Sequence, residues 1–510
     1  MSKGWKATFR SKSSCTHSEG LVVWPALFYW HTALTNRIAP DLMGPVIHQW
    51  RNEKVMQTKA QDRSRWWILG AMGAILGVIL LDETVVSVAL PTIRSELGLS
   101  RLDAHWVVNI YLLVLACFAG AAGRLGDILG IRVLLSAGLL IFGLSSALGG
   151  FAESGLALLT ARAVQGIGAA LIFPLSMVVL IQSFDEKERG LALGLYGGIG
   201  TIFLSLGPLV GGVLTEYLSW RWIFWVNPPI VLTVAAIVWT CWRDPPHMPE
   251  LGFDWKGLLL LVPGLAALVF GIMEGPDRGW SQPEVVVALC AGFAALTLFV
   301  RVEQSFQTPL VAISLFSNPG FAASNMILFT AQFGKIALFV FGASYFQTKL
   351  GYSPLAAGAA LLPIAFPQIF VAPLAGKVAD KYGTRGPSLT GTALGTFAIL
   401  LVALGMHLEI TAPIYAGYVL WGCCVPFLFV PPRRAIMLAV PQNLHGQASG
   451  ISMTFQLLGG TVGMALGSSV YALSSSYTMV FGLVAGFAAC VLAYSYASLT
   501  EANSPDRAAD

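Results

Sequence analysis

Two stretches of this chain, GRLGDILGIR at residues 123–132 and GKVADKYGTR at residues 376–385, share the pattern GxxxDxxGxR. Each stands between two long apolar segments, and they begin 253 residues apart (376 − 123). A charged ten-residue pattern repeated in the same setting marks a duplicated membrane protein whose two homologous halves turn at the same membrane face. Two bundles facing each other are what alternating-access carriers are built from.

Composition agrees with that class. The 510 residues are 56% hydrophobic and 11% charged, with a mean hydropathy of +0.71, whereas a soluble domain is about 25% charged. The bilayer is the solvent. Formal net charge is +4, and ten of the thirty Lys and Arg precede Trp66, so no basic face suited to nucleic acid remains. The seven cysteines show no CxxC spacing and read as small buried hydrophobes; neither a metal site nor a cofactor is expected.

A hydrocarbon core about 30 Å thick takes about 20 apolar residues per helix. On that rule the chain holds fourteen spans. Six (66–91, 104–122, 133–152, 155–182, 190–215 and 221–242) form a first bundle, and six more (321–347, 355–376, 387–407, 412–432, 447–473 and 477–497) a second. Between them lie 256–274 and 284–301. The expected fold is thus all-α and integral to the membrane: two six-helix bundles related by a pseudo-two-fold axis, plus an inserted two-helix hairpin. The domains are then 66–242, a linker with the insert at 243–320, 321–497, and a tail at 498–510. With the repeated patterns on the cytoplasmic side, the loops there carry twelve Lys and Arg against five opposite. The positive-inside rule then puts both termini on the cytoplasmic side of the cell membrane.

Residues 1–65 do not fit this scheme. The run Leu21–Leu34 is too short to span, contains Pro25 and His31, and lacks the small-residue cleavage site of a signal peptide. Met56 opens a short basic stretch, Lys59, Arg63 and Arg65, directly before Trp66. The expectation is a misassigned start; the alternative is a basic, Ser-rich tail on the membrane surface.

Charges inside the spans read as functional by default, because burying them is expensive. Asp82 and Glu83 lie about 24 Å along the helix axis from Trp66. Taking a carboxylate out of water favours its protonated form, which is what coupling to a proton gradient needs. Adjacent helical residues point about 100° apart, so one can face the central cavity and the other a neighbouring helix. Arg162 in span four sits at a similar depth and needs a partner. Lys335, near the middle of span nine and flanked by Gln332 and Gly334, is either a cavity cation or a structural lysine whose head snorkels. Asn109, Gln165, Asn325, Gln332, Gln368 and Gln456 are further polar candidates for a substrate cavity.

Four motifs in order, LDETVVSVALP (81–91), GRLGDILGIR (123–132), RAVQGIG (162–168) and GTIFLSLGPLVGG (200–212), resemble those of the fourteen-span drug and proton antiporters of the major facilitator superfamily. The likeness covers about residues 66–497 and includes SWRWIFWVN (219–227), LGYSPLAAG (350–358) and FQLLGGTVGMA (455–465). It implies Asp82 as the proton site, with Glu83 beside it and Arg162 linked to proton transfer. It makes Gly200, Gly207, Pro208, Gly211 and Gly212 the antiporter motif of exporters, where small residues permit close helix approach and the proline permits a bend. The repeated patterns become conformational latches: Gly123, Asp127, Gly130 and Arg132 in one half, Gly376, Asp380, Gly383 and Arg385 in the other. Ile128, Leu129 and Ile131 replace the usual basic or aromatic residues, which weakens the first latch. Ser87 stands where relatives often carry Asn.

The function so implied is export of hydrophobic or amphipathic drugs, antibiotics or metabolites, driven by the proton motive force, by a monomer. Uptake symport, or a sensor that does not transport, is the alternative; the span-five motif argues against uptake. A membrane enzyme would need a catalytic constellation, and the sequence has no HExxH, GxSxG or GxxxxGK[ST].

Overall fold

A computed structural model describes residues 40–185, 188–243, 254–305, 310–311, 313–440 and 445–499, with backbone alone at 40–63, Arg124, Asp127, Gly190 and 445–447. The chain divides into two units at Ser64/Arg65, and the unit from Arg65 onward carries both helical bundles. The expected start at Met56 and the tail 498–510 fall almost wholly outside the described side chains.

Among the described residues, fourteen helices are long and apolar enough to cross a membrane. They are α1 (Pro40–Glu96, its apolar part Ser64–Glu96), α2 (Arg101–Leu129), α3 (Ile131–Gly150), α4 (Gly155–Ser183) and α5 (Arg189–Tyr217). Next come α6 (Trp222–Cys241), the inserted pair α7 (Trp255–Arg278) and α8 (Pro283–Ser305), and α9 (Pro319–Thr348). The last five are α10 (Pro354–Tyr382), α11 (Arg385–Leu408), α12 (Thr411–Leu438), α13 (His445–Ser474) and α14 (Tyr477–Ser498). No strand occurs among the described residues, as expected where lipid offers backbone groups no partner and each segment must satisfy its own. Polar side chains begin many of the helices: Ser100, Ser154, Ser353 and Ser476 each accept from a backbone N–H three residues on.

The repeated patterns differ from expectation in one respect. The sequence places span ends at Ala122 and Gly376, yet α2 continues to Leu129 and α10 to Tyr382. Nothing in either pattern breaks a helix before its second glycine. There, Gly130 (φ 93°) and Gly383 (φ 77°) take a left-handed backbone that costs a residue with a Cβ about 1–2 kcal/mol. Gly130→Ala and Gly383→Ala are each expected to lower thermal stability by that amount. Gly486→Ala, in the interior of α14 with open space around it, serves as the control that should lose no stability.

The two halves repeat each other in side-chain detail. Arg132 stacks on the Trp239 ring (4.2 Å to the centroid) and donates to the Trp239 carbonyl near the end of α6. Arg385 stacks on Tyr496 (5.6 Å) and donates to the Tyr496 carbonyl (3.3 Å) near the end of α14. Each cation thus meets the negative end of the last helix of its own half.

The inserted helix α7 lies against α2 and α13. Trp106 Nε1 donates to Glu274 Oε1 (3.1 Å), Asn109 Nδ2 to Met273 Sδ (2.9 Å), and Ser469 Oγ to the Ile272 carbonyl.

The seam between α5 and α10 is uneven along its length. On the side away from the repeated patterns it is closed. A Cβ on Gly212 would meet Leu355 Cα at 2.7 Å, and one on Gly358 the Pro208 carbonyl at 2.1 Å. Ser205 Oγ donates to the Ala365 carbonyl (3.0 Å), and the Leu355 N–H to Glu216 Oε2 (2.9 Å). Gly194 precedes Gly212 by eighteen residues (212 − 194), and Gly376 comes eighteen after Gly358 (376 − 358). Eighteen residues make about five helical turns, so within each pair the two glycines point the same way. Yet no described atom lies within 4 Å of a Cβ placed on Gly194, Gly197, Gly198 or Gly376. Contacts along this seam therefore end before the face of the repeated patterns, where α5 and α10 leave a cleft between them.

Candidate functional site

α1 reaches the centre of the molecule carrying two successive acids, and neither touches water: Asp82 is 0% and Glu83 2% exposed. Their directions about 100° apart send them to different halves.

Asp82 turns to α4. Its Oδ2 accepts from Arg162 NH1 at 2.5 Å and its Oδ1 from Gln165 Nε2 at 3.2 Å. The guanidinium is held from other sides as well: NH1 to Gln165 Oε1 (2.8 Å), Nε to the Val107 carbonyl (3.1 Å), and its carbon over the Tyr111 ring at 4.2 Å. Arg162 and Gln165 are one turn apart on α4, so the helix presents both to the same carboxylate. Leaving one member of such a buried pair alone costs about 3–5 kcal/mol.

Glu83 turns to α9. Its Oε2 accepts from Lys335 Nζ at 2.5 Å and, weakly, from Gln332 Nε2 at 3.5 Å. This ion pair joins the first half to the second. From it polar groups run toward the cleft face: Gln456 Nε2 on α13 reaches Gln332 Oε1 (3.5 Å), and Arg433 NH2 on α12 reaches Gln456 Oε1 (2.8 Å). Two residues beyond Lys335, α9 makes a π-helical turn at Ala337–Phe341, a distortion found frequently at functional sites.

The other candidates lie elsewhere. Asn109 faces Met273 on α7, Asn325 Nδ2 returns to the Phe321 carbonyl, and Gln368 to the Ile364 carbonyl. In the antiporter motif, Gly200, Gly207 and Gly211 seat α1, their Cβ positions lying against Leu76, Thr84 and Val85, while Pro208 and Gly212 meet α10. One helix therefore abuts the acid-bearing helix on one face and the opposite half on another. Of the second repeated pattern, Asp380 pairs with Arg434 of α12, inside its own half; the Asp127 side chain lies outside the described residues.

Two members of the network, Arg433 and Tyr111, escape the sequence reading. Arg433 comes directly after Pro431 and Pro432, a setting that suggests a loop charge, but α12 continues through both prolines to Leu438. Tyr111 is apolar in period and reveals its role only by stacking.

The sequence profile of the Major Facilitator Superfamily matches residues 72–464 and 325–509. The chain is 31% identical over 419 residues to multidrug resistance protein Stp of Mycobacterium tuberculosis, covering 82% of this chain and 78% of the relative. It is 29% identical over 406 residues to a tetracenomycin C resistance and export protein of Streptomyces glaucescens, covering 79% and 75%. Among solved structures, a D-xylose-proton symporter matches with a TM-score of 0.63 at 14% identity, covering 86% of this chain and 98% of that one; this is a likeness of fold.

Proposed function

Since the chain belongs to the major facilitator superfamily, we propose that it is a proton-coupled antiporter exporting hydrophobic or amphipathic drugs, antibiotics or metabolites by alternating access. The relatives named for drug resistance and antibiotic export support the direction and the cargo. The observation that carries the coupling is Asp82, a carboxylate withdrawn from water at the centre of the molecule with both oxygens held by Arg162 and Gln165.

In the arrangement seen here the cleft opens toward the repeated patterns, the cytoplasmic face by the distribution of Lys and Arg. With Asp82 ionised, the pair is neutral. A proton on Asp82 releases Arg162 NH1, while Val107, Gln165 and Tyr111 keep the guanidinium in place. The centre then carries one more positive charge, which disfavours a positive group of the substrate nearby. Proton and substrate thus occupy the centre alternately, as exchange requires. Both termini are cytoplasmic, the membrane is the cell membrane, and the working unit is a monomer.

The test is export from cells lacking their own pumps, and from proteoliposomes with an imposed proton gradient. Export should collapse with an uncoupler; export that survives it overturns the coupling.

A further inference from the structure

We propose that the Glu83–Lys335 pair is the charge-reading part of the substrate site and that the cargo it takes is an amphipathic zwitterion, bearing an ammonium and a carboxylate on one apolar body. The proposal rests on the alternating-access reading above and adds the substrate class.

The pair is placed where a carrier must break it. Glu83 belongs to the first half and Lys335 to the second, their side chains 1% and 7% exposed. On the closed side of the molecule the halves are also joined by Gln347 Nε2 to the Val88 carbonyl (2.8 Å), again from α9 to α1. When the cleft reverses, α1 and α9 separate there and the pair is pulled apart. Breaking a buried ion pair strands two charges, and a ligand replaces it without loss only by satisfying both. A purely cationic ligand seated on Glu83 leaves Lys335 unpaired, and a purely anionic one on Lys335 leaves Glu83 unpaired. A zwitterion, its ammonium on Glu83 and its carboxylate on Lys335, satisfies both. It then binds the separated arrangement better than the closed one, and that difference is what lets a ligand drive a conformational change.

Two further observations favour a ligand at this place. The chain of Gln332, Gln456 and Arg433 runs from the pair toward the open cleft. Arg433 is exposed and has no carboxylate partner among the described residues, so its positive charge is available to an entering carboxylate. Beside α9, Trp421 Nε1 and the Tyr418 hydroxyl are buried with no hydrogen-bond partner among the described residues. Trp421 packs its ring on Gly334, next to Lys335, and Tyr418 meets Gly342 about two turns further along α9, so both groups lie where α12 faces α9.

Three probes on one ring system decide it: Nε-dansyl-lysine (zwitterion), dansylcadaverine (the same chain without the carboxylate) and 6-(dansylamino)hexanoate (without the ammonium). Binding is read by dansyl fluorescence on the full chain in nanodiscs, with no gradient, so that a failure of proton coupling leaves this measurement untouched. The zwitterion should bind at least about tenfold tighter than either single charge. Lys335→Gln should erase its advantage over the cation, and Glu83→Gln its advantage over the anion. Should either single variant fail to fold, the exchanged pair Glu83→Lys with Lys335→Glu keeps both charges and should keep the zwitterion preference. Equal binding of zwitterion and cation by the native chain, no saturable binding of the zwitterion, or an unchanged preference in both single variants would overturn the proposal.

Discussion

Asp82→Asn should reduce gradient-driven export to the level of empty vesicles while leaving the folded carrier able to bind its cargo. The substitution keeps the shape and one acceptor oxygen, enough for Arg162 while the amide nitrogen replaces the oxygen that accepts from Gln165, and no proton can be gained or lost. It also leaves Arg162 without a counter-charge, a loss of about 3–5 kcal/mol if uncompensated. Transport alone would therefore confuse misfolding with uncoupling. The double variant Asp82→Asn with Arg162→Gln removes both charges together and should recover much of the thermal stability. If it recovers gradient-driven export as well, Asp82 is not the proton site. Arg162→Lys is no mild substitute: a guanidinium that meets Asp82, Gln165 and the Val107 carbonyl while stacking on Tyr111 has no ammonium equivalent.

The second large effect is expected at Gly358→Ala. A methyl group there would lie 2.1 Å from the Pro208 carbonyl oxygen and 2.8 Å from its carbon. Both belong to the backbone of the other half and cannot swing aside. Overpacking of this kind costs about 1–3 kcal/mol, and each 1.4 kcal/mol shifts a two-state equilibrium about tenfold. Since the clash exists only while α5 and α10 are closed, the variant should populate the reverse-facing state instead of unfolding. A cysteine placed at Gln347 in a background without native cysteines reports this: labelling by an impermeant maleimide from outside should accelerate, and export should fall. Gly459→Ala, equally tight against the Phe329 carbonyl at 2.2 Å but within one half, should destabilise the fold without raising outside labelling. Equal labelling in the two variants would mean that the α5–α10 seam is not the moving one.

The arginines of the repeated patterns were less legible than the acids. Arg132 and Arg385 stand out in the sequence as charges at a helix junction, yet the partners they find, the Trp239 and Tyr496 rings and carbonyls, lie more than a hundred residues away and obey no local pattern. Asn109 and Gln165 look alike as lone amides in apolar spans. Which one meets Asp82 and which one meets α7 depends on how the helices rotate about their axes, a quantity set by packing against neighbours.

From the residues alone came the fourteen spans, their grouping as six, two and six, the duplicated junctions and the depth of Asp82, Glu83, Arg162 and Lys335. The reason is that a bilayer imposes one length on every span and makes each buried charge conspicuous. Only the assembled helices decided that Asp82 closes on Arg162 within one half, that Glu83 reaches Lys335 across to the other, and that the cleft opens on one side. Those are matches between faces of helices far apart in the chain, and no local period records them.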